Sequence, residues 1–286
     1  MTRLDPIRAP LVAVAAAGFL VALKGSGAWI TGSLALGSAA IDSLIDVFIS
    51  MANFVVLRRA AQPPDADHAY GHGKFENLAA LGQGIFLVGA AASLVWAGVH
   101  RLVEGGEPRE TGWGIGVLAA SLLVSFGIAR TLSRAAERLG SPALKADSLH
   151  YATDLWVNGA ALAALMVVRW TGWAPADPLV AMGVAVYVFR SGVALALEAM
   201  GDLSDRGLPA EELLRIESVV AGFAPEVVGM HDLKTRRSGG QRFIELHLEI
   251  PRAATFEEAH DLMVKVLRAI EGEIPRSKVF VHGDPV

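Results

Sequence analysis

The chain has 286 residues, of which 53% are hydrophobic and only 19% charged, a balance too apolar for an ordinary soluble domain and in keeping with a membrane protein. A net charge of -4 argues against a nucleic-acid partner. Cysteine is absent, which excludes disulfides and thiolate metal sites and leaves nitrogen and oxygen donors for any metal. A helix needs about 20 apolar residues to cross a hydrocarbon core. Such stretches lie near residues 10–31, 33–57, 78–101, 112–131, 143–170 and 177–198, which predicts six transmembrane helices. The charged start followed by an apolar run from Leu11 imitates a signal peptide, but the further long apolar segments make it a first transmembrane helix. The first two segments join tightly through Thr31, Gly32 and Ser33, whereas a polar stretch, residues 58–77, separates the second from the third. Arg3, Arg8, Arg58, Arg59, Lys74, Arg134, Arg138 and Lys145 fall on one side, against Arg101, Arg109 and Arg169 on the other, which predicts that both termini are cytoplasmic. Lys24 reads as a side chain snorkelling toward the outer surface.

After Asp202 the long apolar runs give way to short amphipathic elements, so residues 1–202 are expected to form a membrane domain and 203–286 a cytoplasmic one. Helical spacing recurs over 209–222 and again over 256–271. Between them Ile244, Leu246, Leu248 and Ile250 alternate with polar residues, a half-buried strand entered through the Ser238, Gly239, Gly240 turn. Val227 to Thr235 and Lys278 to His282 supply two more strands. The expected order is α-β-β-α-β, a small α+β layer pair with its helices on one face, of the ferredoxin-like or metallochaperone-like kind. No internal repeat is evident.

The chemistry lies in ionisable residues where a bilayer makes them costly. Asp42 and Asp46 fall near the middle of the second segment, and burying one carboxylate there costs roughly 3 kcal/mol on insertion scales. Their spacing of four puts them on one helical face. The fifth segment repeats the spacing with His150 and Asp154, so two facing helices would present one imidazole and three carboxylates, enough for a tetrahedral metal. Structural glue between membrane helices uses Ser, Thr or Asn more than charges, which disfavours a purely structural role. In the polar loop, Asp65 to Lys74 contains His68 and His72 beside aspartates, and reads equally as a divalent-metal site or as an ordinary polar loop. The cytoplasmic region gathers His231, His247, His260, His282 and Asp284, with His247 on the polar face of its strand. Seven of the eight histidines belong to these clusters, which favours metal; His100, the remaining one, reads as interfacial. Leu149 stands beside the membrane cluster as a candidate apolar gate. No G-x-x-x-x-G-K-[ST] phosphate loop offers an ATP-driven engine, and no H-E-x-x-H helix suggests a membrane metalloenzyme, so no enzyme is expected.

Four stretches, Asp42-Ser43-Leu44-Ile45-Asp46, His68-Ala69-Tyr70-Gly71-His72-Gly73-Lys74, Ala146-Asp147-Ser148-Leu149-His150-Tyr151-Ala152-Thr153-Asp154 and His231-Asp232-Leu233-Lys234-Thr235-Arg236, together resemble the cation diffusion facilitator family. The resemblance covers essentially the whole chain. It implies a transport site of Asp42, Asp46, His150 and Asp154, a loop site of Asp65, His68 and His72, and a cytoplasmic binuclear site of His231, His247, His260, His282 and Asp284. It further implies a homodimer with a charge pair between Lys74 and Asp205, and a multi-pass protein of the bacterial inner membrane. The implied activity is export of a divalent transition metal, Zn2+ before Cd2+ or Fe2+, in exchange for protons, with Zn2+ also bound as a structural or regulatory ion. A membrane-anchored metal sensor or scaffold without transport is the alternative.

Overall fold

The computed structural model describes residues 8–31, 34–104, 112–173 and 175–286, so Arg3, Gly32, Ser33 and Arg109 lie outside the described residues. The chain divides into two compact units, Met1–Ala199 and Met200–Val286. Six long helices come first: α1 (Arg8–Thr31), α2 (Leu34–Ala60), α3 (Lys74–Glu104), α4 (Gly112–Leu139), α5 (Pro142–Thr171) and α6 (Ala176–Leu203). Among the described residues, α1, α2, α3, α5 and α6 are long and apolar enough to cross a membrane. Large apolar side chains such as Phe19, Phe48, Ile85 and Val186 face outward, as they do where lipid is the solvent.

The helices outrun the apolar stretches read from the sequence. The first turn of α3 starts at Lys74 and carries Glu76, and α4 continues to Leu139 with Leu132 and Ala136 buried while Arg130, Arg134 and Arg138 are exposed. Hydropathy registers only the stretch that fits the hydrocarbon, whereas a helix goes on while its backbone and one apolar face are satisfied. Helix α5 is closed at both ends. Ser141 caps it by accepting from Leu144 N–H at 3.2 Å, Pro142 occupies the first turn, and Gly172, at φ 70°, donates its N–H to Val168 O at 2.8 Å. Ser141 Oγ also donates to Glu76 of α3. This helix is the hinge of the packing, because Ala143, Leu144 and Tyr151 belong to a buried cluster with α1, α2 and α4, while Ala146 belongs to another with α3 and α6. Helices α3 and α6 meet at a glycine contact: a Cβ on Gly192 would lie 2.9 Å from Gly84 O.

The second unit comprises α7 (Ala210–Ala221), β1 (Gly229–Ser238), β2 (Gln241–Ile250), α8 (Phe256–Glu273) and β3 (Ser277–Pro285). The sheet order is β1-β2-β3, with β1 and β2 antiparallel across the Gly239-Gly240 turn and β2 and β3 parallel through the α8 crossover. Ile244, Leu246, Leu248 and Ile250 of β2 are buried with Ile216 and Val220 of α7 and Val266 and Ile270 of α8. Thr255 and Glu258 form a capping box at the start of α8. Both outer strands run further than their apolar patterns indicate, since pairing with β2 carries β3 through Gly283 and Asp284 to Pro285. The opposite face of β2 is left to Glu245, His247 and Glu249.

Candidate metal centres

Three groups of histidine and carboxylate atoms come together, each with its donor atoms within 4.8 Å of one another: Asp46, His150 and Asp154; Asp65, His68 and His72; and His231, His247 and Asp284. A tetrahedral zinc with ligands at 2.0–2.1 Å would hold neighbouring donors about 3.3 Å apart. The imidazole-to-carboxylate distances within the three groups run from 2.8 to 3.6 Å, close to that value, and the donors are all imidazole or carboxylate.

The first group lies between α2 and α5. His150 Nε2 is 3.0 Å from Asp46 Oδ1 and 3.6 Å from Asp154 Oδ2, and its side chain is only 4% exposed. The rings of Phe86 and Tyr151 lie edge-on against it, at 5.8 and 5.4 Å. The stripe that α2 turns inward, Ser43, Asp46, Ser50, Asn53 and Leu57, is polar almost throughout. Ser50 shares a 2.8 Å hydrogen bond with Tyr151 Oη of α5. Asp42 stands one turn before Asp46, exposed and outside this group. Lys24 is half-buried rather than snorkelling free, and donates from Nζ to Ser43 Oγ at 2.8 Å, beside Asp42. Leu149 is half-buried against the Ala80, Leu87 and Ala146 cluster.

The second group is made by the turn between α2 and α3. Asp65 Oδ1 accepts from the backbone N–H of Asp67 and of His68, at 3.1 and 2.7 Å, and these bonds curl the loop so that Asp65 faces both imidazoles. Its carboxylate oxygens are 3.2 Å from His68 Nδ1 and 3.2 Å from His72 Nε2. The His68 N–H holds the Asp65 carboxyl below the usual carboxylate range. His72 is buried, and Gly71 turns the chain at φ 84°. Lys74 opens α3 immediately afterwards.

Strand register makes the third group. His231 pairs with His247 across β1 and β2, and His247 with His282 across β2 and β3, so three imidazoles stand in a row on the helix-free face. Asp284 sits among them, its Oδ2 2.8 Å from His247 Nδ1 and 3.2 Å from His231 Nε2, its Oδ1 3.4 Å from His282 Nε2. The hydrogen bond from His247 keeps the Asp284 carboxyl below its ordinary range. His260, on α8, is exposed, stacks on Phe256 at 6.3 Å and is not in the group. Two carboxylates left out of the expected set stand at its edge: Glu249 Oε1, 3.4 Å from His231 Nδ1, and Asp232 Oδ2, 3.8 Å from His247 Nε2. Asp232 reaches there from a bulge in β1, at φ 52°. Asp205 also has a positive φ, 57°, and its carboxylate is 3.6 Å from Arg236. His100 stacks on Trp96 with ring centroids 5.4 Å apart.

The chain matches the cation efflux transmembrane domain over residues 11–204 and the cytoplasmic domain of cation efflux proteins over residues 208–286. The cation-efflux pump FieF of Escherichia coli O127:H6 is 39% identical to it over 278 residues, 97% of this chain and 92% of the pump. FieF of Shigella flexneri serotype 5b is also 39% identical, with the same 97% and 92% coverage. Among solved structures, the metal-bound C-terminal domain of the CzcD transporter from Thermotoga maritima is 28% identical and covers 27% of this chain and 94% of that one, with a TM-score of 0.25. Identity of 39% sustained along nearly the whole of both chains makes this protein a member of the cation efflux, or cation diffusion facilitator, family, a multi-pass membrane transporter and not an enzyme.

Proposed function

We propose that the chain exports divalent transition-metal ions, zinc foremost, from the cytoplasm in exchange for protons, by alternating access of a site made of Asp42, Asp46, His150 and Asp154. The observation that carries this reading is the convergence of Asp46, His150 and Asp154 within two membrane-crossing helices. Isolated charges there are costly, and a divalent cation would neutralise them. Imidazole must be neutral to bind metal and has an ordinary pKa of about 6.5, so metal and proton exclude each other at His150. Zinc then loads from the cytoplasm as protons leave and departs outside as protons return. Leu149 serves in this reading as an apolar seal beside the site.

In the same reading six helices span a bacterial inner membrane with both termini cytoplasmic, and two copies pair as a homodimer. Lys74 of one copy faces Asp205 of the other. The Asp65, His68, His72 loop and the ligands His231, His247, His260, His282 and Asp284 hold further zinc in the cytoplasm. The donor row across the sheet supports that role, since its imidazoles and carboxylate suit zinc and lie on a face no helix covers. Ions held there do not cross the membrane; they stabilise and report.

Zinc flux into sealed proteoliposomes with an imposed pH gradient tests the proposal. Asp154→Ala should reduce it to background while leaving insertion and oligomeric state intact. Metal binding without flux in the unaltered protein would instead favour a membrane-anchored sensor.

A further inference from the structure

Asp147 is fully buried on α5, and neither of its carboxyl oxygens has a hydrogen-bond partner. An orphaned carboxyl at that depth is too costly to be incidental, and calls for an explanation in the groups around it. His150 follows three residues later, on the same side of the helix. Its ring is divided: Nε2 faces Asp46 and Asp154, whereas Nδ1 is buried and unpartnered. Asn53, from the polar stripe of α2, stands alongside with its own Nδ2 unpartnered, and Asp46 is the other charge near Asp147. A donor without an acceptor and an acceptor without a donor therefore sit one helical turn apart in the same seam.

We propose that Asp147 positions His150: its carboxyl accepts, directly or through one buried water, the proton on His150 Nδ1, and so holds the ring in the tautomer whose bare Nε2 faces Asp46 and Asp154. Histidines that bind metal through one nitrogen almost always donate from the other, and this partner fixes both the tautomer and the ring plane. Asn53 steadies the carboxyl from α2, where buried amides and hydroxyls replace apolar packing. Asp147 is a positioning residue here, since only His150 meets the cargo. The proposal rests on the transport-site reading above.

The test uses the full-length protein labelled with 15N-histidine, zinc-free, at a pH where the rings are neutral, with the His150 signals assigned by their loss in His150→Asn. The unaltered protein should show His150 protonated on Nδ1; protonation on Nε2 overturns the proposal without any Asp147 variant. Asp147→Leu should mix or reverse the tautomers and raise the zinc concentration for half-maximal flux by about 10- to 100-fold. Asp147→Asn, whose amide oxygen still accepts, should keep the tautomer and stay close to wild type in that concentration. An unchanged tautomer in Asp147→Leu, with or without lost flux, overturns the positioning role. Wild-type flux in His150→Asn would sink the transport-site reading itself, whereas lost flux there beside wild-type behaviour of Asp147→Leu sinks the role of Asp147 alone.

Discussion

His150 meets two carboxylates through one ring nitrogen, and that asymmetry sets what a substitution there should do. Exchange of the imidazole for a carboxylate keeps the number of donors while replacing nitrogen by a harder oxygen. His150→Asp should therefore move preference from zinc toward manganese. Uptake from an equimolar mixture of the two metals reads this out, and an unchanged ratio would remove His150 from the ligand set. Asp42 shows what spacing alone leaves open about a site. Residues four apart share a face, but they stand about 6 Å apart along the axis, so a shared face is not a shared depth. Asp46 lies in the His150 donor group, whereas Asp42, one turn earlier, does not. The unpartnered state of Asp147 was equally hidden, because orphanhood depends on what other helices bring near it and leaves no trace in residue spacing.

At the scale of elements, the contact of α3 with α6 depends on glycines that allow their backbones to touch. Gly192→Leu should lose about 1–3 kcal/mol through overpacking, seen as a lower melting temperature in detergent. Gly89→Leu on α3, where an added Cβ meets nothing within 4 Å, is the control and should melt as wild type. In the second unit Glu212 ties α7 to the sheet, 2.6 Å from Arg242 Nε and 2.7 Å from Arg237 Nη2. Burial pushes its carboxyl up, but the bond and charge of Arg242, joined by Arg237, outweigh burial and leave it below the ordinary glutamate range. A depressed folded pKa stabilises the fold above the unfolded value and loses that contribution as pH falls through the folded one. Glu212→Gln should thus cost about 1–2 kcal/mol at neutral pH. The gap from wild type should narrow as pH drops below about 4.5, and a gap independent of pH would mean the ion pair contributes nothing. Apolar periodicity made α7, α8 and β2 legible, but β1 and β3 only in part. The ends of those strands are held by pairing with β2 and carry little apolar pattern of their own.

On the scale of the whole molecule, histidines separated by tens of residues become neighbours only through register. The alternation of β2 put His247 on its polar face, yet nothing local aligned His231, His247 and His282 in one row; a parallel crossover and an antiparallel turn did so together. The same register made Glu249 and Asp232 their neighbours and left His260 on another layer. A His247→Ala, His282→Ala double variant should lose the thermal stabilisation that zinc gives the full-length protein, about 2.7 kcal/mol at a hundredfold excess over the dissociation constant. It should retain part of its flux, and complete loss despite normal insertion would tie these residues to transport itself. The row spans all three strands, and β3, which brings His282 and Asp284, is an edge with one neighbour. An ion held there would rivet the sheet crosswise, and could leave only as often as the end of β3 frays. Amide hydrogen exchange along β3 and the rate at which a chelator strips the ion would then share one opening event, so slowing either would slow the other.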